Sequence, residues 1–322
     1  MSGAVRTAKP ASKWMELLTA WLRAARPRTV LLSLSGILLG GSLAFFDQPG
    51  VHPWTLVFCA STAILLQILS NLANDYGDFK KGVDDAHRTG PQRTLQSGAL
   101  TERQMRIGIA LTVLLCLGSG LLLLLSVGLL QGAWNKVVVM AVVGLAAVAA
   151  ALFYTLGKHP YGYRGLGDLF CFLFFGWVAV AGTYYLAAPS FDPWVLLPAT
   201  AMGFLATGVL NINNLRDYEN DRAHGKNTLV VKMGLEKAFT YHVFLIVLPF
   251  FLLTLFLMLK HVPWYDYAFW LLFPFFLMNL ATIRKTLATG VPDRLLPKQV
   301  LQTFLLTLVW GITMVIERLF NT

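Results

Sequence analysis

Residues 54–78 read W-T-L-V-F-C-A-S-T-A-I-L-L-Q-I-L-S-N-L-A-N-D-Y-G-D. Through Ser70 the run is apolar enough to lie in a bilayer core. The remainder puts Asn71, Asn74, Asp75 and Asp78 at i, i+3, i+4 and i+7, on one helical face. The reading is therefore a membrane-crossing helix that leaves the lipid with a stripe of amides and carboxylates along one side. Such a stripe calls for a ligand, because clustered carboxylates at a membrane edge are costly unless a cation neutralises them.

The rest of the chain agrees with a membrane solvent. Of 322 residues, 56% are hydrophobic and only 13% charged, and the mean hydropathy is +0.62. A soluble domain carries about 25% charged residues. Several stretches exceed the ~18 apolar residues that a spanning helix needs, and they are too long for the strands of an outer-membrane barrel. The expectation is an all-α polytopic membrane protein: nine helices at about 28–46, 53–73, 105–130, 134–156, 166–187, 194–213, 238–259, 264–283 and 299–318 in one bundle, with polar cytoplasmic cap loops. Two parts follow, a basic tail over 1–26 and a single transmembrane domain over 27–322. The tail lacks the short apolar core and small-residue cleavage site of a signal peptide.

With those spans, 23 of the 26 Lys and Arg residues fall on one side, and only Lys136, Lys260 and Arg318 fall on the other. The positive-inside rule then places the N-terminus in the cytoplasm and, after nine crossings, the C-terminus outside. The net charge of +10 is read as orientation against a lipid bilayer; no nucleic acid is expected. Cys59, Cys116 and Cys171 lie within apolar spans without paired spacing, so neither a disulfide framework nor a zinc site is implied.

A second stripe follows the sixth span. Residues 211–228 read N-I-N-N-L-R-D-Y-E-N-D-R-A-H-G-K-N-T, with Asn214, Asp217 and Asp221 at i, i+3 and i+7. Both striped helices run inward, so both stripes emerge at the cytoplasmic surface. As idle helix ends they would put carboxylates where the macrodipole disfavours them. As facing jaws of hard oxygen ligands, without His or Cys, they suit Mg²⁺ bridging to diphosphate. Cations should then surround the anion. Lys80, Lys81, Arg88, Arg222 and Arg164 are available, and Arg93, Lys158, Arg216 and Lys226 are placed near helix ends or stripes; Tyr154 precedes Lys158 by one helical turn. Asp168 opens the fifth span, where it either caps the helix or joins the site.

The strings N-L-A-N-D-Y-G-D-F-K-K-G-V-D (71–84), P-Y-G-Y-R-G-L-G-D-L-F (160–170) and L-N-I-N-N-L-R-D-Y-E-N-D-R-A-H-G-K-N-T-L-V-V-K-M-G (210–234) resemble those of the UbiA superfamily of intramembrane aromatic prenyltransferases, in particular its 1,4-dihydroxy-2-naphthoate branch. The resemblance covers almost the whole chain except the tail before Arg26. The family pattern N-D-x-x-D-x-x-x-D is met at Asn74, Asp75 and Asp78, while its last position is Gly82, with Asp84 and Asp85 just beyond. Its D-x-x-x-D is met at Asp217 and Asp221, and its Y-x-x-x-K at Tyr154 and Lys158.

What the resemblance implies is specific. The substrates are a polyprenyl diphosphate and 1,4-dihydroxy-2-naphthoate, joined with loss of CO₂ in menaquinone biosynthesis at a bacterial inner membrane, with the site facing the cytoplasm. Asp75 and Asp78 would hold one Mg²⁺, with Asp84 or Asp85 completing the motif, and Asp217 with Asp221 a second. Asn74, Arg93, Lys158, Arg216 and Lys226 would bind the diphosphate, Tyr154 and Lys158 would act in catalysis, and Asn71, Asn214 and Asp168 would support them. Another acceptor (4-hydroxybenzoate or homogentisate) or a phytyl donor would use the same motifs. An ion-coupled transporter would place its acids near the bilayer midplane, and these lie at the cytoplasmic edge.

Overall fold

The structure, a computed structural model, describes residues 13–48, 50–83 and 90–320. Among them it is all-helical, and nine helices are long and apolar enough to cross a membrane. We label a first short helix α1 (Lys13–Ala25). The spans are α2 (Pro27–Asp47), α3 (Pro53–Lys80), α4 (Glu102–Gln131), α5 (Trp134–Phe153), α6 (Gly167–Ala187) and α7 (Pro193–Arg216). Two short helices, α8 (Tyr218–Ala223) and α9 (Leu229–Met233), precede the last three spans, α10 (Leu235–Leu259), α11 (Trp264–Thr286) and α12 (Leu295–Phe320).

The central staves are α7 and α2, 72% and 61% buried, whereas α5 is only 17% buried and faces outward. α2 packs along α12, α3 along α4, and α7 along both α6 and α10. Two glycines let helix backbones come close. A Cβ on Gly40 of α2 would sit 2.3 Å from the Val180 carbonyl of α6, and one on Gly176 of α6 would sit 2.6 Å from the Ala199 carbonyl of α7. Small residues of this kind let helix backbones meet in lipid, where burying apolar side chains gives no drive to associate. Bulk is supplied elsewhere: Phe250 of α10 packs against Phe269, Trp270, Phe273 and Phe276 of α11. Ile107, Leu111, Leu114, Leu121 and Leu122 of α4 remain exposed, the side a bilayer covers.

The helices match the expected spans closely but overrun them at the striped ends. α3 continues to Lys80 rather than ending near 73, because its polar stripe is itself helical, whereas α7 continues only to Arg216 and the second stripe breaks at Asp217 before α8 carries Asp221. α6 contains a π-helical stretch, Leu173–Ala181, a wide-turn geometry often found at functional sites. At the end of the bundle away from the stripes, Lys260 pairs with Asp47 at 2.8 Å and Asp192 at 2.6 Å, and the Tyr184 hydroxyl donates to Asp47 at 2.6 Å.

Candidate functional site

A cavity of about 1090 Å³ runs through one half of the bundle. Its polar mouth gathers Asn71, Asn74, Asp75 and Asp78 from the end of α3 with Asp217 and Asp221 at the end of α7 and on α8. The two stripes, 142 residues apart in sequence from Asp75 to Asp217, therefore open on one space. Lys226 joins them directly: its Nζ lies 3.2 Å from Asp78 Oδ2 and 3.9 Å from Asp221 Oδ1. A second tie is the Asn220 amide, which donates to the Val83 carbonyl at 3.0 Å.

Each carboxylate of the mouth has a cation beside it. Arg26 and Arg93 both pair with Asp75, Arg93 at 3.4 Å. Arg216 grips Asp217 through two bonds of 2.8 Å, and its other amine meets Asp293 at 2.6 Å. Tyr163 donates its hydroxyl to Asp78 at 2.7 Å, and its ring lies under Lys81 at 4.2 Å and Lys226 at 5.3 Å. Burial alone would pull the Lys226 ammonium down; Asp78 and Asp221 outweigh that and hold it above its ordinary value, so it stays charged. Burial, with Asp78, Asp168 and Asp221 nearby, raises the Tyr154 phenol well above the usual range, which keeps it a donor.

With those cations in place, no three His, Cys, Asp or Glu side chains close into a metal-sized group among the described residues. The donor set nevertheless fits a hard divalent cation. Its ligating atoms are carboxylate and amide oxygens at one mouth, and the Asn74 Oδ1 is buried there without a hydrogen-bond partner among the described residues. Asp84 and Asp85, the alternatives for completing the first motif, lie outside the described residues, as does Arg88.

Other expected residues separate. Tyr154 and Arg93 line the cavity, as do Arg216 and Lys226. Lys158 is exposed and not among the lining residues, since the loop after α5 turns it outward. Asn214 and Asp168 are buried but do not line the cavity. Asn71 braces the mouth, donating to the Ala25 carbonyl at 2.9 Å and to Thr29 Oγ1 at 3.1 Å. Arg26, Tyr163 and Asp293 escaped sequence reading because each meets its partner across at least 49 residues, with no local spacing to show it. The signal available for Arg26 was Pro27, which starts a helix beside it.

Behind the mouth the cavity is apolar. Tyr161, Phe170 and Phe174 form a stacked row along it, with ring centroids 4.1 and 6.2 Å apart. Leu117 and Leu121 of α4 and Leu145 of α5 line it and are also exposed, giving a lateral apolar exit toward lipid. The arrangement suits an amphiphile with a polyanionic head at the mouth and a long apolar tail in the groove.

Residues 33–288 match the model of the UbiA prenyltransferase family. The 1,4-dihydroxy-2-naphthoate octaprenyltransferase of Haemophilus influenzae is 42% identical over 260 residues, covering 80% of this chain and 83% of that protein. The enzyme of the same name from Escherichia coli is 46% identical over 237 residues, 74% of this chain and 76% of its own. In fold, the chain is similar to a UbiA homologue from Archaeoglobus fulgidus solved with GPP and Mg²⁺: TM-score 0.63, 16% identity, covering 92% of this chain and 99% of that one.

Proposed function

The chain belongs to the UbiA prenyltransferase family, and from that premise we propose that it transfers a polyprenyl group from polyprenyl diphosphate to 1,4-dihydroxy-2-naphthoate, with decarboxylation to a demethylmenaquinol. The observation that carries the reading is the union, in one cavity, of a cation-bearing mouth bounded by both Asp stripes with an aromatic-walled groove open to lipid. The menaquinone branch rests on the two octaprenyltransferase relatives.

The residues divide the work. Arg26, Arg93 and Lys226, now resting on Asp75, Asp78 and Asp221, supply the charge-assisted donors for the incoming diphosphate oxygens. Asp75, Asp78, Asp217, Asp221 and the Asn74 carbonyl are the residues that would hold Mg²⁺. When bound, Mg²⁺ supplies positive charge against the leaving diphosphate. Lys226 stabilises the same developing charge as the allylic C–O bond breaks and its electron pair leaves with diphosphate. The stacked row of Tyr161, Phe170 and Phe174 keeps water from the allylic cation and offers it π-faces. The naphthoate carbon bearing the carboxylate then forms the new C–C bond, and the bond to CO₂ breaks, returning its electrons to the ring.

The tail stays in the bilayer, where each buried methylene is worth about 0.8 kcal/mol, and reaches the mouth through the gap beside Leu117, Leu121 and Leu145. We place the protein in a bacterial inner membrane with the N-terminus and the mouth on the cytoplasmic side, supported by the Lys and Arg asymmetry. The test is transfer of radiolabelled polyprenyl diphosphate in membrane vesicles to a panel of aromatic acids. Labelled lipid product with 1,4-dihydroxy-2-naphthoate alone is expected; transfer to 4-hydroxybenzoate or homogentisate instead would overturn the acceptor assignment.

A further inference from the structure

α1 precedes the residues matched by the family model, and the cavity chemistry does not account for its outer face. At 100° per residue its side chains fall into three sectors. Ala20 and Ala24 are buried, and with Leu17 and Trp21 they pack on Leu69 and Leu72 of α3 and Met105 and Ile109 of α4. Trp21 lies so close on Gly108 that a Cβ there would meet its ring at 2.4 Å. A second sector carries Thr19 and Arg23, which line the cavity mouth together with Leu22 at the edge of the neighbouring apolar sector. The third, an arc of about 100°, carries Trp14, Met15, Leu18 and Leu22, which are 81%, 57%, 60% and 54% exposed.

The placement of that third face decides what covers it. Arg26, in a left-handed backbone conformation, separates α1 from α2, so the chain turns between α1 and the start of the first span. Its packed face touches the mouth ends of α3 and α4, and there α4 exposes Ile107 and Leu111. The apolar arc of α1 thus adjoins the lipid-facing belt of the bundle. Arg23 and Arg28, lining the cavity mouth, supply positive charge at this end of the bundle, as helices lying on anionic membrane surfaces do.

We propose that α1 is a membrane-surface helix, with its Trp14, Met15, Leu18 and Leu22 face sunk into the boundary between headgroups and acyl chains of the leaflet at the cavity mouth. Its polar sector faces the mouth, so this wall of the entrance is held in place by lipid. The inference stands independently of the reaction.

The test is spin-label depth measurement on the full chain in vesicles of phosphatidylethanolamine and phosphatidylglycerol. Labels are placed at Leu18→Cys and Trp14→Cys on the apolar arc and at Glu16→Cys on the polar side, with unsubstituted protein as the blank for the native cysteines. The expected result is preferential relaxation by oxygen at both apolar positions, at a depth of about 5–10 Å below the headgroup level, and preferential relaxation by a water-soluble nickel chelate at Glu16. Nickel access at Leu18 and Trp14 equal to that at Glu16 would overturn the proposal by placing the arc in water. Exclusion of both reagents from the arc would overturn it in favour of a protein partner.

Discussion

Replacing Lys226 by Met isolates the interaction that joins the two acidic stripes. Lys226 Nζ sits 3.2 Å from Asp78 and 3.9 Å from Asp221, and its side chain is 9% exposed. Without it, two buried carboxylates no more than about 7 Å apart face each other across the mouth, a repulsion of about 2 kcal/mol at an effective dielectric constant near 20. Stripping one partner from a buried pair costs about 3–5 kcal/mol in all. Tyr163 still donates to Asp78, which places the expected loss toward the lower figure. The purified variant should therefore unfold several degrees below wild type in a detergent thermal melt without metal.

Added Mg²⁺ should recover more of this loss in the variant than it adds to wild type, because a divalent cation replaces the missing charge while wild-type Lys226 competes with it. Combining Lys226→Met with Asp78→Asn should restore part of the metal-free stability, since the repulsion is gone. Turnover should fall about 100–1000-fold, the size of losing one preorganised stabiliser of a leaving anion. An equal Mg²⁺ response in wild type and variant, or a double variant as unstable as the sum of the singles, would refute the reasoning.

Other consequences can be checked in parallel. Asp293→Ala leaves Arg216 still held by Asp217 and the Asn213 side-chain oxygen; because Asp293 is 45% exposed, the effect should stay within about 1 kcal/mol, read as less than about a tenfold rise in KM for the prenyl diphosphate. Gly40→Val forces a Cβ to within 2.3 Å of the Val180 carbonyl, and melts should show about 1–3 kcal/mol of destabilisation with acceptor preference unchanged. Lys226 is held above its ordinary value of 10.5, so its stabilising contribution is fully present below that pH and is lost only as pH rises through the higher folded value; the wild-type-minus-Lys226→Met stability difference should be flat from pH 6 to 9. EDTA should abolish prenyl transfer in vesicles and Mg²⁺ should restore it; metal-independent transfer would count against the assigned donor set.

Much of this architecture was legible in residue order. Hydropathy marks the spans because lipid demands continuous apolar helices, and the i, i+3, i+4, i+7 placement of Asn71, Asn74, Asp75 and Asp78 reveals their shared face without coordinates. The ends were less legible: α3 runs on through its polar stripe to Lys80, while the i, i+3, i+7 spacing of the second stripe hides the break at Asp217 between α7 and α8. The cations divide along the same line. Lys226 follows its stripe closely and was expected at the mouth, whereas Arg26 reaches Asp75 from the start of α2, 49 residues away in sequence. Lys158 had the right spacing from Tyr154, but spacing fixes only distance along the chain, and the loop there points it to solvent.

The measurement closest to the heart of the account is calorimetric binding of inorganic pyrophosphate with Mg²⁺ to purified wild type, Asp75→Asn, Asp217→Asn and the protein carrying both changes. One acceptor mouth built from two stripes predicts that either single change removes detectable binding and that the double is no worse than either. Full binding in a single variant, or losses that simply add, would mean that the stripes serve separate ends.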